Sequence, residues 1–344
     1  MKPKTHESIL HRFFLGFWYQ NKPTILARCL YPLGRLFFFL ASSRRARLSA
    51  QAKSFSVPVV VVGNISIGGT GKTPLIIALA NKLKEQGVNV GIVSRGYGSH
   101  MEHYPFEVNS NSHVSDSGDE ALLMAMATQS TVVIDPNRVN AVNHLLAAYP
   151  ATQLVLSDDG LQHYRLHRDF EIIVVDGKKG IGNGFGLPAG PLREPKERIA
   201  EVDMVCVNGE ASPKLNQHLN HSPYESIWLQ PTLWSPVGLA TNKKIQVGEP
   251  LPWQGSVVAI AAIGNPQRFY DTLNSLGVDF ISVAFDDHHQ FTQDDFMPYQ
   301  DQTIVMTAKD AVKCRDFASE NWWQLEVECV MPNTIIDSLK THLR

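Results

Sequence analysis

Short apolar runs alternate with segments of helical periodicity along most of the chain. The runs are rich in valine, isoleucine and leucine, and they occupy residues 57–62, 88–93, 131–135, 154–158, 172–176 and 203–207. Between the first two runs, apolar residues recur at helical spacing, at Leu75, Ile76, Leu79, Ala80 and Leu83. Strands that are apolar throughout and separated by helices are typical of a parallel sheet with both faces covered. The pattern therefore predicts an α/β fold with a mainly parallel sheet.

The alternation stops near residue 210 and starts again near residue 257. Residues 210–252 are rich in proline and show no clear period, so we interpret them as a linker. Beyond them the pattern predicts strands at residues 257–263, 281–284 and 303–306, with a helix between the first two. A second, smaller α/β lobe is expected here. The predicted division is N-terminal helices at residues 1–50, a first lobe at residues 51–222 and a second lobe with its linker at residues 223–344.

The N-terminal segment is apolar, aromatic and basic. An amphipathic stretch at residues 9–20 precedes a longer apolar run at residues 24–42. A bilayer span needs roughly 20 mostly apolar residues, and this run is interrupted by Arg28, Pro32 and Arg35. We therefore expect a helix lying in the membrane interface. A helix packed on the core of the protein, with arginine stems along its surface, is the alternative.

Charge is distributed unevenly along the chain. The net charge is −2, yet residues 1–53 hold ten Lys or Arg and a single acid, Glu7. A basic segment on an otherwise acidic chain predicts an anionic surface as its partner and argues against broad nucleic-acid binding. The four cysteines are far apart in sequence and no signal peptide is visible, which is typical of a reduced, intracellular protein.

A glycine-rich loop joins the first apolar run to the helix that follows it. Its central residues are Gly68, Gly69, Thr70, Gly71, Lys72 and Thr73. Strand, glycine loop, Lys-Thr and helix make a P-loop, whose backbone N–H groups bind phosphate at a helix N-terminus. Lys72 can reach the β- and γ-phosphates of ATP, and the Thr73 hydroxyl can bind Mg²⁺. Ser66 stands where the motif has its first glycine, and a small side chain fits that turn.

Two pairs of adjacent acids follow the P-loop. Asp158 and Asp159 end an apolar strand, the Walker-B arrangement that holds or orients Mg²⁺, and either carboxylate can be the ligand. Asp119 and Glu120 open a predicted helix, where acids ordinarily favour the helix dipole. For both pairs, capping of the next segment is the alternative interpretation.

Two loops are further candidates for the functional site. Residues 177–194 form a long loop rich in glycine and proline, which we interpret as a lid or a substrate-contacting segment. In the second lobe, His288 and His289 follow two aspartates. Adjacent histidines rarely bind one metal ion and no third ligand is evident, so we expect this loop to face the cleft between the lobes.

Three classes of P-loop protein differ in the residues that they need beyond the loop. A guanine-binding switch needs Asn-Lys-x-Asp, but Asn242 and Lys243 are followed by Ile245 at the acidic position. A partitioning-type membrane ATPase has an additional lysine early in the loop, where this chain has Ile67. A small-molecule kinase needs a base for the acceptor hydroxyl and a second lobe to enclose it, and candidates for both are present.

Several motifs together resemble the tetraacyldisaccharide 4′-kinase family of the lipid A pathway. They lie at residues 63–74, 94–98, 118–120, 158–163, 188–194, 264–269, 287–289 and 306–311. The resemblance implies two α/β lobes with the site between them, an N-terminal helix docked on the membrane, and ATP with Mg²⁺. The implied reaction transfers the γ-phosphate of ATP to the 4′-hydroxyl of tetraacyldisaccharide 1-phosphate. The implied location is the cytoplasmic face of the inner membrane, as a peripheral or monotopic protein. We expect a monomer.

The resemblance also implies roles for particular residues. Asp119 is expected to be the base that takes the proton of the sugar hydroxyl, with Glu120 near the metal and nucleotide. The partner of this base is a histidine of the second lobe, which His288 matches better than His289. Lys72 is expected to neutralise the γ-phosphate. Two alternatives remain: a P-loop kinase or ATPase for a soluble metabolite, and a nucleotide-gated membrane scaffold without catalysis.

Overall fold

The structure, a computed structural model, describes residues 4–5, 14, 16–20, 22–219, 222–238 and 244–342. Ile9, Leu10 and Phe13 of the amphipathic stretch lie outside the described residues, as do Asn242 and Lys243. The helices are α1 (Ile25–Ser49), α2 (Lys72–Glu85), α3 (Val114–Ser117), α4 (Asp119–Thr128), α5 (Arg138–Ala148), α6 (Pro213–Leu219), α7 (Pro266–Ser275), α8 (Gln293–Phe296), α9 (Ala308–Cys314) and α10 (Asn333–His342), with 3₁₀ turns at Lys196–Glu201 and Met297–Tyr299.

The strands are β1 (Lys4–Thr5), β2 (Val59–Gly63), β3 (Val90–Ser94), β4 (Phe106–Val108), β5 (Thr131–Ile134), β6 (Leu154–Asp158), β7 (Phe170–Asp176), β8 (Met204–Asn208), β9 (Tyr224–Pro236), β10 (Ile245–Gln246), β11 (Val257–Ala261), β12 (Phe280–Ala284), β13 (Ile304–Thr307) and β14 (Trp322–Val330). Over the described residues they form a sheet of 14 strands. Its order is β1-β12-β11-β13-β14-β9-β8-β7-β2-β6-β3-β5-β4, and β10 pairs with β9.

The first lobe is a parallel sheet covered on both faces, as its apolar strands predict. Strands β8, β7, β2, β6, β3 and β5 pair in parallel, and only the short edge strand β4 pairs antiparallel. Successive side chains of a strand point to opposite faces. Val60 and Val62 therefore pack with α2, whereas Val59 and Val61 pack with residues such as Leu145 of α5. The prediction of a mainly parallel α/β sheet is confirmed.

Residues 210–252 are not a linker. They contain α6 and the long strand β9, which pairs in parallel with β8 and antiparallel with β14. This strand joins the sheets of the two lobes into one. Its prolines concealed it, because proline is compatible with a strand only at a bulge or an end. Pro231 lies at the register shift opposite Glu326 and Val327, and Pro236 ends the strand.

The second lobe is a smaller parallel sheet made by β12, β11, β13 and β14. It has its own apolar clusters on both faces. The final helix, α10, leaves this lobe, since Ile335, Ile336 and Leu339 are buried in the cluster that contains α2 of the first lobe. The predicted domain boundary at residue 222 stays a prediction. Strand β9 pairs with strands of both lobes, and α10, which follows the second lobe in the chain, packs in the core of the first.

Helix α1 lies on the surface of the first lobe and exposes most of its apolar side chains. Its buried residues are Ala27, Gly34 and Leu48, whereas Ile25 is 82% and Phe39 68% exposed. Gly34 permits α1 to approach the loop at residues 177–194, because a Cβ at position 34 would lie only 2.8 Å from the carbonyl oxygen of Gly186. Among the described residues α1 is the one helix long and apolar enough to cross a membrane. One face of α1 packs on the first lobe and the other is exposed, so the interfacial helix and the packed helix both stay predictions.

The loop at residues 177–194 packs beneath the N-terminal segment. The indole N–H of Trp18 donates to the carbonyl of Pro188 (3.0 Å), and the rings of Tyr31 and Phe185 lie 4.7 Å apart. Ala189 is fully buried. Such packing does not fit a lid, whereas substrate contact stays a prediction for this loop.

Candidate active site

The P-loop lies between β2 and α2 and is held by two asparagine side chains. The amide of Asn64 donates to the carbonyl of Gly68 (3.2 Å), and that of Asn208 donates to the carbonyl of Thr70 (3.0 Å). Gly68 and Gly71 have φ of +112° and +99°, a region that favours glycine. Ser66 is not among the described residues with positive φ, which explains why serine is tolerated there. The start of α2 has the unpaired backbone N–H groups of a helix N-terminus, which is where anions bind.

Lys72 faces the acidic pair at the end of β6. Its ammonium nitrogen lies 3.5 Å from Oδ1 of Asp159, and Arg193 donates to Oδ2 of the same carboxylate (3.2 Å). Burial alone would raise the pKa of Asp159, but Lys72 and Arg193 lower it well below its usual value. Asp159 is therefore ionised and already paired with two cations.

The surroundings of the Asp158 carboxylate differ from those of Asp159. Its Oδ2 accepts a hydrogen bond from Ser94 (3.0 Å), whereas its buried Oδ1 has no hydrogen-bond partner among the described residues. Burial, followed by the charges of Glu120 and Asp159, raises the pKa of Asp158 to about 7. A buried carboxylate oxygen without a partner fits a cation ligand. The described residues contain no group of three or more metal-binding side chains.

Asp119 is the first residue of α4, and a glycine places it there. Gly118 has φ of +77°, and a Cβ would lie 2.4 Å from the carbonyl oxygen of Tyr97. The Asp119 side chain is only 3% exposed, and its Oδ1 accepts from the backbone N–H of Glu120 (2.8 Å). The carboxylate is thus fixed at a helix N-terminus, beside the candidate metal ligand Glu120.

His288 comes from the second lobe and meets Asp119. Its Nδ1 lies 3.0 Å from Oδ2 and 3.2 Å from Oδ1 of Asp119. The neighbouring His289 is directed away and pairs with Asp295 (3.1 Å). His288 has φ of +62°, and its ring lies 4.5 Å from that of Tyr97, centroid to centroid. Non-glycine residues in this conformation are uncommon and cluster at functional sites.

Two lysines of α9 complete the cluster. The ammonium of Lys309 lies 3.1 Å from Glu120 and 3.9 Å from Asp119, and that of Lys313 lies 3.6 Å from Asp119. Burial would raise the pKa of Asp119, but the hydrogen bond from His288 and the two lysines lower it to about 2. Nearby carboxylates, Glu120 first, raise the pKa of Lys309 above its usual value against the effect of burial. Lys309 is therefore cationic.

The comparisons with known proteins identify the family. Residues 26–344 match the family model described as Tetraacyldisaccharide-1-P 4′-kinase. The chain belongs to this family. A tetraacyldisaccharide 4′-kinase of Francisella tularensis subsp. novicida is 43% identical over 315 residues, which cover 90% of this chain and 97% of the relative. The corresponding protein of subsp. tularensis is 42% identical over the same coverage.

A solved structure shares the fold. The crystal structure of LpxK from Aquifex aeolicus in complex with ATP superposes with a TM-score of 0.74 and 24% identity, over 93% of this chain and all of that chain. The match of the family model extends to residue 344. The family resemblance therefore continues beyond the last motif, at residues 306–311, to the end of the chain and includes α10.

The structure brings together nearly all the residues that the sequence singled out. Lys72, Thr73, Asp158 and Asp159 lie at the P-loop, and the Asp119–His288 pair lies between the lobes. Four further residues in contact with them were not assigned any role from sequence: Arg193, Asn208, Lys309 and Lys313. A lysine pair four apart on a helix that follows a buried strand was the available signal for Lys309 and Lys313.

His163, in the loop after β6, gives a pH-dependent contribution to stability. Burial, then Arg138 and Arg168, lowers its pKa from 6.5 to about 4. Between these values the unfolded chain binds a proton that the folded chain does not, so folding loses stability as the pH falls. His163→Gln removes this titrating group and is expected to reduce the loss of stability by about 1–2 kcal/mol. The value is smaller than the full pKa shift would give, because the side chain is partly exposed and solvent screens the effect.

Urea unfolding of both proteins at several pH values between 7 and 4 measures this difference. The difference in free energy of unfolding between wild type and variant should change with pH in that window and stay constant above it. A gap independent of pH would show that the His163 pKa is not depressed in the folded protein.

Proposed function

We propose that this protein transfers the γ-phosphoryl group of ATP to the 4′-hydroxyl of tetraacyldisaccharide 1-phosphate, a step of lipid A biosynthesis. The observation that carries this proposal is the Asp119–His288 contact of 3.0 Å between the two lobes, beside a P-loop. A hydroxyl acceptor is activated by a base within hydrogen-bond reach of it, and Asp119 is a carboxylate that a histidine of the second lobe orients. The names of the 43% identical relatives supply the acceptor.

The roles follow from the positions of the side chains. Asp119 takes the proton of the sugar hydroxyl, and His288 orients its carboxylate. Lys72 breaks its ion pair with Asp159 and neutralises the charge of the transferred phosphoryl group. The N–H groups of residues 68–73 hold the phosphates. Phosphoryl transfer depends mainly on positioning and charge neutralisation, so these groups suffice without a covalent intermediate.

Mg²⁺ fits the residues at the end of β6. Asp158, with its unpartnered Oδ1, is the preferred ligand, together with the Thr73 hydroxyl and with Glu120 nearby. Asp159 is occupied by Lys72 and Arg193 and is the weaker candidate. The ion supplies charge neutralisation at the phosphates when it is bound.

The deciding experiment measures transfer of labelled γ-phosphate from Mg-ATP to the tetraacyldisaccharide 1-phosphate in detergent micelles. Formation of labelled lipid is expected. If no lipid is labelled although ATP binds, the proposed acceptor is wrong. Labelling of a water-soluble acceptor alone would favour a kinase for a soluble metabolite, and binding without any product would favour a scaffold.

Membrane docking through α1 is part of the proposal. Exposed apolar side chains on one helix, with arginines at its surface, are the features of an interfacial helix. Leu36, Phe39 and Leu40 are each more than half exposed. A helix in this position would hold the enzyme on the cytoplasmic face of the inner membrane, where the acyl chains of the substrate stay embedded. One chain supplies Lys72, Asp119 and His288, so a monomer is a sufficient unit.

Removing residues 1–48 is expected to move the protein from the membrane fraction to the soluble fraction and to weaken use of the lipid substrate. The truncation also removes the hydrogen bond from Tyr19 to the P-loop carbonyl of Ile67. A variant that carries Leu36→Asp, Phe39→Asp and Leu40→Asp tests docking alone, because these side chains face outward.

Sedimentation with vesicles that contain anionic lipid measures both variants. Trp228→Asp is the matched control, since this side chain is 43% exposed on β9, away from α1. The control should sediment as wild type does. Sedimentation of the triple variant with the vesicles would place the membrane anchor elsewhere in the chain.

A further inference from the structure

The second ring nitrogen of His288 faces a cation. Nε2 lies 3.4 Å from the ammonium nitrogen of Lys309 and 3.8 Å from Oδ1 of Asp287. The contact with Asp287 is too long for a hydrogen bond. Lys309 is therefore the described hydrogen-bond partner of Nε2, and it is a group that can only donate.

This contact and that of Asp119 at Nδ1 together fix where the ring carries its proton. An ammonium group has three donors and no acceptor, so Nε2 must present its lone pair to Lys309. The proton of the neutral ring then resides on Nδ1, where it is donated to Asp119. A doubly protonated ring would direct an N–H at an ammonium 3.4 Å away, which is both a like-charge contact and a donor–donor contact.

Both partners are held in place. The backbone N–H of His288 donates to Ala262 (3.3 Å), and Tyr97 packs against the ring. The Lys309 ammonium also contacts Glu120 (3.1 Å) and Asp287 (3.4 Å). It therefore lies at the centre of three acceptors, one of which is Nε2.

We infer that Lys309 is a positioning residue that keeps Nε2 of His288 unprotonated and, together with Asp119 at Nδ1, holds the ring as the neutral Nδ1–H tautomer. Its consequence for the reaction rests on the proposed function. With Nε2 covered and Nδ1 protonated, His288 has no free lone pair for the sugar hydroxyl, and Asp119 is the only base of the pair.

The proton balance of the transfer is then simple. The hydroxyl oxygen forms a bond to the γ-phosphorus as the bond from that phosphorus to the bridging oxygen breaks, and ADP leaves with the electron pair of the broken bond. The hydroxyl proton goes to the Asp119 carboxylate. The Nδ1–H of His288 stays on its nitrogen and remains hydrogen-bonded to that carboxyl group.

Nitrogen NMR of the full chain in micelles tests the tautomer without any turnover. Long-range proton–nitrogen correlations of ¹⁵N-histidine distinguish protonated from unprotonated ring nitrogens, and His288→Gln identifies the signals among the 13 histidines. Near neutral pH, a protonated Nδ1 and an unprotonated Nε2 are expected for His288. A protonated Nε2, alone or with Nδ1, overturns the inference.

Variants of Lys309 test its part in this arrangement. Lys309→Met is expected to retain Nδ1–H, because Asp119 still accepts at 3.0 Å, but to leave Nε2 open to a second proton, whereas Lys309→Arg, which also only donates, keeps Nε2 unprotonated. Lys84→Met is the control, because that lysine bonds Thr128 on the first lobe, and it should leave the His288 signals unchanged. If Nε2 in a folded Lys309→Met takes up a proton no more readily than in the wild type as the pH is lowered to about 5, the inference is overturned. If that variant does not fold, the wild-type spectrum decides.

Kinetics of the same variants separate positioning from binding. Lys309→Met is expected to lower kcat by about 10- to 100-fold, the usual cost of losing a group that orients a functional residue. The KM for ATP should be retained, and Lys309→Arg should recover part of the loss. Equal kcat for Lys309→Met and wild type would refute the positioning role. Absence of transfer in the wild type would refute the proposed function instead and leave the tautomer result standing.

Discussion

Replacement of Asp119 by asparagine is expected to lower kcat for phosphoryl transfer about 10²–10⁴-fold, the range typical of general-base catalysis. Asparagine has the same size, and its amide oxygen can still accept from the backbone N–H of Glu120, which bonds Asp119 at 2.8 Å. What disappears is the group that can take the proton. Asp119→Ala should lose turnover to a similar extent, because it also lacks this group.

Affinity for ATP is the second measurement on Asp119→Asn. The carboxylate belongs to the contact with the second lobe, and the phosphates are held by the P-loop, so the Kd for ATP should change little. A large loss of nucleotide binding would instead assign Asp119 to the metal site. His289→Gln is the matched control in the same loop, since His289 pairs with Asp295, and its turnover should be close to that of wild type.

Local chemistry explains which parts of the site could be predicted from sequence. The P-loop is a continuous stretch whose strand, glycines and helix are each visible in the order of residues. The acids at the end of β6 follow the same logic, because the carboxyl ends of parallel strands meet at one edge of a sheet. Lys72, Thr73 and Asp158 could therefore be named from their positions in the chain.

The contact between Asp119 and His288 has no such local signal. The two residues are 169 positions apart, and their meeting depends on how the second lobe packs against the first. Only the resemblance to a family placed them together. Lys309 was missed for the same reason, because its importance arises from side chains of the other lobe.

The missed strand β9 has a different cause. Its inward and outward positions vary in exposure, and Pro231 and Pro236 are typical of a loop. A strand that joins two sheets is stabilised by pairing on both sides rather than by its own pattern. Helix α10 was likewise not expected in the first lobe, since nothing in its sequence states which core its apolar face will join.

Replacement of Lys72 by alanine is expected to impair ATP binding and turnover together, with a loss in kcat/KM of about 10³-fold or more. Its ammonium is the cation of the P-loop, and electrostatic stabilisation of a developing charge in a buried site is worth this much. Lys72 stabilises bound ATP as well as the transition state, whereas Asp119 stabilises the transition state alone. Phosphoryl transfer and equilibrium binding of ATP should therefore decrease in the same variant.

Lys82 provides the matched control for this prediction. It lies on the same helix as Lys72 but pairs with Glu85 at the surface, where it is 44% exposed. Lys82→Ala should bind ATP and transfer phosphate as the wild type does, because its charge is screened by solvent. Asp159 keeps Arg193 as a partner when Lys72 is removed, so the fold should survive and the loss can be assigned to the phosphate site. Normal ATP affinity in Lys72→Ala would mean that the backbone N–H groups of the loop bind the phosphates without this cation.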